Sequence, residues 1–181
     1  DSEPRQDLSP LLAPRSIAIV GISHPDRFGG IVFNNLLAFG YSGKIFGVNP
    51  RYETLYDRPC YPALSDLPET PDCVLLAVPD HGLLPALEEA AAFGVRAAVI
   101  FGGAHSQPQD GAESLLARLR AVAQKSGMVV CGPNGMGFVS MAHRLPVTGY
   151  IANPDARAGG VALIAHSGSV WDAFLQNDRD L

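Results

Sequence analysis

Short apolar runs alternate along the chain with longer amphipathic segments. The apolar runs cover residues 17–20, 44–48, 72–78, 96–101 and 128–131. Runs of this length that are apolar almost throughout are typical of strands buried on both faces of a parallel sheet. Apolar residues recur at helical spacing in three of the links, over residues 29–39, 80–93 and 110–125. The pattern therefore predicts an α/β fold with a doubly wound parallel sheet and right-handed crossovers.

Two local features refine this prediction. Residues 55–71 contain four prolines, which predict a loop with at most one helical turn, at residues 64–67. Asp80 directly follows a proline at the start of the second helical segment. Because aspartate side chains accept hydrogen bonds from first-turn amides, Asp80 is predicted to cap that helix.

The chain beyond residue 140 shows a second, incomplete pattern. Residues 141–159 lack a clear period and are predicted to be a connector. Residues 160–165 form a further apolar run, which predicts a buried strand, and a helix is predicted to follow it. We therefore expect residues 1–140 to form one domain. Residues 160–181 are expected to begin a second α/β domain that this polypeptide is too short to bury.

The first strand is followed by a glycine-rich turn. Gly21 allows a sharp turn, and Gly29 and Gly30 open a helix whose first amides have no partner within the helix. Such amides attract anions, most often a diphosphate. The glycine spacing does not follow the Gly-x-Gly-x-x-Gly dinucleotide fingerprint. A tight turn that serves packing alone is therefore the alternative.

The second strand ends in Asn49-Pro50-Arg51. An NAD-binding sheet usually carries an acidic residue here, which holds the ribose hydroxyls, whereas Arg51 suits a phosphate on that ribose. Coenzyme A, with its 3′-phosphate, and NADP remain as candidate ligands. The alternative is a proline-initiated turn with a solvated arginine. Glycine, proline and small polar residues also follow the other strands, at the edge where ligands bind in such sheets.

Composition and charge exclude other classes of partner. The formal net charge is −5, without basic runs, so nucleic acid is not an expected partner. No apolar stretch is long enough for a membrane span and no signal-peptide pattern is present, so we expect a cytoplasmic protein. The cysteines Cys60, Cys73 and Cys131 are widely spaced, which fits a reducing compartment and predicts no metal site.

Taken together, five motifs resemble a known family. They are Pro14-Arg15-Ser16-Ile17-Ala18-Ile19-Val20-Gly21, Val48-Asn49-Pro50-Arg51-Tyr52, Ala77-Val78-Pro79, Gly132-Pro133-Asn134 and Ser167-Gly168. In this order they resemble the N-terminal part of NDP-forming acyl-CoA synthetases, relatives of the succinyl-CoA synthetase α subunit. The resemblance implies a Rossmann-like CoA-binding domain followed by the start of a flavodoxin-like domain.

The resemblance also implies ligands and site residues. The implied coenzyme A contacts are Gly21, Ile22, Ser23, Phe28, Gly29, Gly30, Val48, Asn49, Pro50, Arg51, Val78, Pro79, Asn134 and Gly135. Ser167, Gly168 and Ser169 correspond to a phosphate loop in the second domain. The family joins a carboxylic acid to CoA through an acyl phosphate and a phosphorylated histidine. It uses ATP or GTP, with Mg, bound by an ATP-grasp domain or subunit.

Departures from the family pattern limit what is carried over. Gly135 stands where relatives usually have cysteine, and His166 precedes Ser167 where they have glutamine or arginine. The family's phosphorylated histidine lies beyond residue 181, so no catalytic residue is predicted here and the fragment alone is expected to be inactive. Two alternatives stay open: a stand-alone CoA- or nucleotide-binding regulatory module, and an NADP-dependent oxidoreductase. Against the oxidoreductase stand the missing fingerprint and the lack of a catalytic constellation.

Overall fold

The computed structural model describes residues 6–106 and 113–175. Its centre is a seven-stranded sheet in the order β3-β4-β2-β1-β5-β6-β7. The strands are β1 (Ser16–Val20), β2 (Lys44–Val48), β3 (Thr54–Leu55), β4 (Arg58–Tyr61), β5 (Cys73–Leu76), β6 (Ala97–Ile100) and β7 (Val129–Cys131). All neighbouring pairs are parallel except β3 with β4. The predicted α/β fold with a doubly wound, mainly parallel sheet is confirmed.

Helices cover both faces of the sheet. They are α1 (Ser9–Leu12), α2 (Phe28–Ala38), α3 (Asp80–Ala92), α4 (Leu115–Ser126) and α5 (Gly168–Leu175). Side chains alternate between the faces along each strand. In β1, Ala18 belongs to the core under α3 and α4, whereas Ile17 and Ile19 belong to the core under α2. The strands are apolar throughout because each central strand is covered on both sides.

A short hairpin lies within the segment that was expected to be a loop. Strands β3 and β4 pair antiparallel, and β4 also pairs with β2 at the side of the sheet. Tyr56 and Asp57 form the two-residue turn, with φ values of 53° and 57°, which is the turn geometry that suits a hairpin. Pro59 pairs with Thr54 of β3 and has no partner in β2, whose register with β4 begins at Cys60, so its missing amide did not prevent a strand. The expected helical turn is present at Leu64–Asp66.

The helix predicted from residue 110 begins later. Glu113 and Ser114 are not helical, α4 begins at Leu115, and residues 110–112 lie outside the described part of the chain. The Ser114 hydroxyl oxygen accepts a hydrogen bond from the Ala117 amide at 3.2 Å. This side-chain cap fixes the start of the helix. Gly127, at φ 71°, ends it in a left-handed conformation.

A second hairpin crosses the predicted domain boundary at residue 140. It consists of β8 (Gly137–Ser140) and β9 (Leu145–Thr148), joined by a short 3-10 turn. All four residues of β9 are buried, and Leu145 and Val147 join the core under α2. The predicted connector, residues 141–159, therefore contains a strand that is part of the first core. The division into domains itself remains a prediction.

The apolar run at residues 160–165 forms no strand, so that prediction is wrong for this structure. Ile164 is 99% exposed and Val161 is 71% exposed. A strand needs a neighbouring backbone to complete its hydrogen bonds, and no strand in the described ranges pairs with this segment. The helix predicted after it is present as α5. In the described ranges, none of the helices has the length and apolar character needed to cross a membrane.

Candidate functional site

The turns after β1, β2 and β5 meet at one edge of the sheet. The Gly21 amide donates to the Val48 carbonyl at 2.8 Å, and the Ala77 amide donates to the Val20 carbonyl at 2.9 Å. The turns after β6 and β7 are joined in the same way, since the Asn134 amide donates to the Gly102 carbonyl at 2.8 Å. The structure thus brings the sequence-predicted residues Gly21, Val48, Val78 and Asn134 to this edge. We call it the carboxyl edge, because the carboxyl ends of the parallel strands lie there.

Gly21 is required by both conformation and space. Its φ is 86°, a left-handed conformation that side chains disfavour. A Cβ atom here would lie 2.6 Å from the Ala77 carbonyl oxygen and 2.8 Å from Val78 Cγ1. The turn after β1 therefore passes so close to the end of β5 that no side chain fits at position 21.

Gly29 and Gly30 allow helix α2 to approach that turn closely. A Cβ on Gly29 would lie 3.1 Å from the Ile22 Cα, and one on Gly30 would collide with the His24 carbonyl and lie 2.6 Å from the Tyr56 hydroxyl. The packing role weighed as the alternative for this glycine pair is therefore real. The close approach also brings the N-terminus of α2 against the turn. The glycine pair can therefore serve packing and anion binding together.

The carbonyl oxygens of the turn are used by donors from the protein. Those of Ile22, Ser23 and His24 accept from the Asn49 side-chain amide (2.7 Å), the Tyr56 hydroxyl (2.5 Å) and the Arg27 backbone amide (2.9 Å).

The amides of the same segment are not used in this way. Within residues 6–106 and 113–175, the amides of Ile22, Ser23 and His24 and of the first three residues of α2 donate to no acceptor. Successive amides without acceptors in a turn form the type of backbone nest that binds anions.

Asn49 connects the turn after β2 with the turn after β1. Its side-chain amide reaches the Ile22 carbonyl, its side-chain oxygen accepts from the Arg51 amide at 3.0 Å, and its own amide donates to the Tyr61 carbonyl at 2.8 Å. Pro50 and Arg51 are exposed. The Arg51 guanidinium forms no ion pair within the described part of the chain, so its charge is available to a ligand.

Aromatic side chains also line the carboxyl edge, between the N-terminus of α2 and the turn after β6. The rings of Phe28 and Phe101 lie 4.5 Å apart, and the Phe28 ring occupies the space that a side chain at Gly149 would need. A Cβ on Gly168 would lie 2.7 Å from the Tyr150 hydroxyl and 3.8 Å from Met136 Cγ. The segment Ser167-Gly168-Ser169 therefore lies beside the loop that contains Asn134 and Gly135.

Asp80 does not cap α3 as the sequence suggested. Helix α3 begins at Asp80 itself and has no side-chain cap. The Asp80 carboxylate instead accepts from the Ala104 amide at 3.1 Å, the Ser106 amide at 2.9 Å and the Ser106 hydroxyl at 3.0 Å. Burial acts to raise the pKa of Asp80, but these hydrogen bonds outweigh it and the pKa is lowered. A negative charge thus stands at this helix N-terminus.

Sequence reasoning missed Tyr56. It lies in a hairpin turn without glycine, the residue that usually marks such a turn. The one available signal was the pair of short β-compatible segments on either side of Tyr56-Asp57, and the prolines obscured it.

A comparison with protein families decides the relationship. A profile described as "CoA binding domain" matches residues 15–141. The chain belongs to the CoA binding domain family. The match includes the turns after β1, β2, β5, β6 and β7, and it ends before the segment Ser167-Gly168-Ser169.

Curated relatives of this CoA binding domain are named as CoA synthases or CoA ligases. The chain is 32% identical over 170 residues to a trans-feruloyl-CoA synthase of an unknown prokaryotic organism, covering 91% of this chain and 24% of the relative. It is 29% identical over 163 residues to the ADP-forming acetate–CoA ligase II of Archaeoglobus fulgidus, covering 90% and 24%. The chain thus spans about a quarter of the length of these relatives.

A solved structure shows the same fold. The dinucleotide forming acetyl-coenzyme A synthetase 1 of Candidatus Korarchaeum cryptofilum, in complex with phosphate and ADP, superposes with a TM-score of 0.80 at 31% identity. The match covers 94% of this chain and 36% of that chain. The likeness extends beyond residue 141, so it includes the region of β9.

Proposed function

We propose that the carboxyl edge binds coenzyme A, with its diphosphate at the turn Gly21-Ile22-Ser23 and the N-terminus of α2. One observation carries this assignment. The carbonyls of Ile22, Ser23 and His24 are held by protein donors, while the amides of the same three residues have no acceptor in the described part of the chain. Phosphate oxygens are the acceptors that such amides bind.

The two ends of the coenzyme are assigned by charge and position. Arg51, exposed and without an ion pair among the described residues, would contact the 3′-phosphate of the adenosine ribose. Val48, Asn49, Pro50, Val78 and Pro79 would border the adenosine. Asn134 and Gly135 would stand near the pantetheine arm, which would then lead towards Ser167, Gly168 and Ser169.

The complete protein is proposed to be an NDP-forming acid–thiol ligase. In this proposal the phosphoryl group of ATP or GTP, held with Mg by an ATP-grasp domain or subunit, passes through a histidine beyond residue 181 to a carboxylic acid. The CoA sulfur then attacks the acyl phosphate carbonyl, so that the C–S bond forms, the C–O bond to phosphate breaks, and inorganic phosphate departs with the thiol proton. The described chain would supply CoA to this step and would not turn over alone. The cysteine pattern supports a cytoplasmic location.

Calorimetric titration with CoA, dephospho-CoA, NADP and NAD tests the proposed ligand. We expect CoA to bind most tightly. Arg51→Ala should weaken CoA about five- to tenfold, the size of one charge-assisted contact in water, and should leave dephospho-CoA unchanged.

The matched control is Arg120→Ala, which removes an exposed arginine of α4. It should change neither affinity. Tighter binding of NADP than of CoA, or an equal loss for CoA and dephospho-CoA in Arg51→Ala, would contradict the assignment.

A further inference from the structure

Tyr56 joins the β3–β4 hairpin to the proposed phosphate turn. Its hydroxyl donates to the Ser23 carbonyl at 2.5 Å. Its ring stacks on Phe33 of α2, with centroids 4.6 Å apart and planes 23° apart. Two independent contacts, one polar and one aromatic, therefore fix this side chain between α2 and the turn.

The hydroxyl remains a hydrogen-bond donor over the neutral range. Burial raises the pKa of the Tyr56 phenol, and the neighbouring Asp26 and Tyr52 raise it further. Because the neutral phenol persists, the Ser23 carbonyl keeps its donor under ordinary conditions.

The geometry of the peptide unit gives this contact a consequence for ligand binding. In a trans peptide the carbonyl and the following amide point in opposite directions. Holding the Ser23 carbonyl towards Tyr56 therefore directs the His24 amide away from Tyr56. In the same way, the Asn49 side chain holds the Ile22 carbonyl and so directs the Ser23 amide.

We propose that Tyr56 is a positioning residue for the diphosphate of coenzyme A, because it sets the orientation of the His24 amide. The inference rests on the proposed function of the turn. Without the hydroxyl, the Ser23 carbonyl has no donor in the described part of the chain, and the 23–24 peptide can rotate. A rotated peptide presents a carbonyl oxygen, rather than an amide, to the phosphate.

The test compares Tyr56→Phe with Tyr61→Phe. Tyr56→Phe keeps the ring that stacks on Phe33 and removes only the hydroxyl. Tyr61 lies on the same hairpin and is also partly buried, but its hydroxyl makes no hydrogen bond to the described residues. We expect Tyr56→Phe to weaken CoA and dephospho-CoA by the same factor, about three- to tenfold, the range expected for one hydrogen bond. Tyr61→Phe should change neither.

Amide NMR spectra separate positioning from general stability. On addition of CoA to the wild-type chain, the amide resonances of Ser23 and His24 should both shift. In Tyr56→Phe the His24 shift should shrink, while the Ser23 shift, set by Asn49, should persist. A loss of stability alone would change both resonances or neither.

The outcomes distinguish the two proposals. If the wild-type chain does not bind CoA, the proposed function fails. If it binds CoA and Tyr56→Phe binds equally well, or Tyr61→Phe weakens binding as much, the role of Tyr56 is refuted while the function stands. If Tyr56→Phe does not fold, the wild-type titration decides: unshifted His24 amide and Tyr56 ring resonances at saturating CoA would refute the role.

Discussion

Helices α2 and α3 begin at the same edge of the sheet, yet their N-termini differ in charge. They follow the adjacent parallel strands β1 and β5. The first turn of α2 contains no acidic residue, and two of its first three residues are glycine. The first residue of α3 is Asp80, whose carboxylate is held there by the 104–106 loop. Both helices have unpaired amides in their first turn, but only α3 has a carboxylate within that turn.

The two helices are also held in place differently. The Asn35 side chain of α2 donates to the carbonyls of Thr148 (3.1 Å) and Tyr150 (2.7 Å) and accepts from the Ala152 amide (3.2 Å). At the end of α2, Arg144 donates to the Phe39 carbonyl, which places a cation at the helix C-terminus. Helix α3 buries Leu83 and Leu87 fully, and its polar contacts go to other segments, through Glu89 to residues 64–65 and through Asp80 to residues 104–106. The helix with the open N-terminus is thus fixed by polar contacts from the β8–β9 region.

The largest effect on stability is expected at Asn35. Asn35→Leu leaves two carbonyls and one amide of residues 148–152 without their partner, and should lower the free energy of unfolding by about 3 kcal/mol. Asn34→Leu, at an exposed position of the same helix, is the control and should be nearly neutral. Urea unfolding measures both. Equal effects of the two substitutions would mean that α2 does not depend on the β8–β9 region.

The next effect is expected at Gly30. Alanine normally favours a helix over glycine, but a Cβ at Gly30 collides with the His24 carbonyl. Gly30→Ala should therefore destabilise the chain by about 2 kcal/mol and should weaken CoA binding by displacing α2 from the turn. Gly159→Ala, where a Cβ meets nothing within 4 Å, is the control. A stabilised Gly30→Ala variant with normal CoA affinity would show that close approach of α2 is unnecessary.

A charge reversal makes α2 resemble α3. Arg27→Glu places an acid at the exposed N-cap of α2 and should weaken CoA about three- to fivefold at low salt, and less at high salt, because exposed charges are screened. Arg120→Glu makes the same charge change on α4. Calorimetry at two salt concentrations compares them. An equal loss in both variants would indicate an effect of net charge rather than of the helix N-terminus.

The smallest effect is expected at Asp80. Its pKa is lowered on folding from about 3.8, so its contribution is present above pH 4 and is lost as the pH falls through the folded value. The protection of the Ala104 and Ser106 amides, relative to the intrinsic exchange rate at each pH, should then fall below pH 4. Asp80→Asn should remove this pH dependence, whereas Glu88→Gln, at an exposed position of α3, should retain it. Hydrogen exchange at these two amides makes the measurement, and unchanged protection in acid would refute the role of the carboxylate.

The strands and the glycine turn were predictable because their causes are local. A strand covered on both faces must be apolar, and β1, β5 and β6 are. Gly21 was recognised as a turn residue and Gly30 as part of the helix start, and the structure adds that a side chain fits at neither position. The exception is residues 160–165, where an equally apolar run forms no strand. Apolar character shows that a segment can be buried. Strand formation also needs a partner backbone, which lies elsewhere in the chain.

The amino-acid sequence by itself determined the α/β order of elements, the edge at which the candidate site is proposed and the family resemblance. Tertiary structure decided which side chains form hydrogen bonds at that edge. Asp80 turned from a predicted cap to the 104–106 loop because donors from another strand's turn were within reach. Tyr56 reached Ser23, 33 residues away, because the hairpin returns beside β2. Contacts between distant segments depend on how strands pair, and no local pattern of residues encodes them.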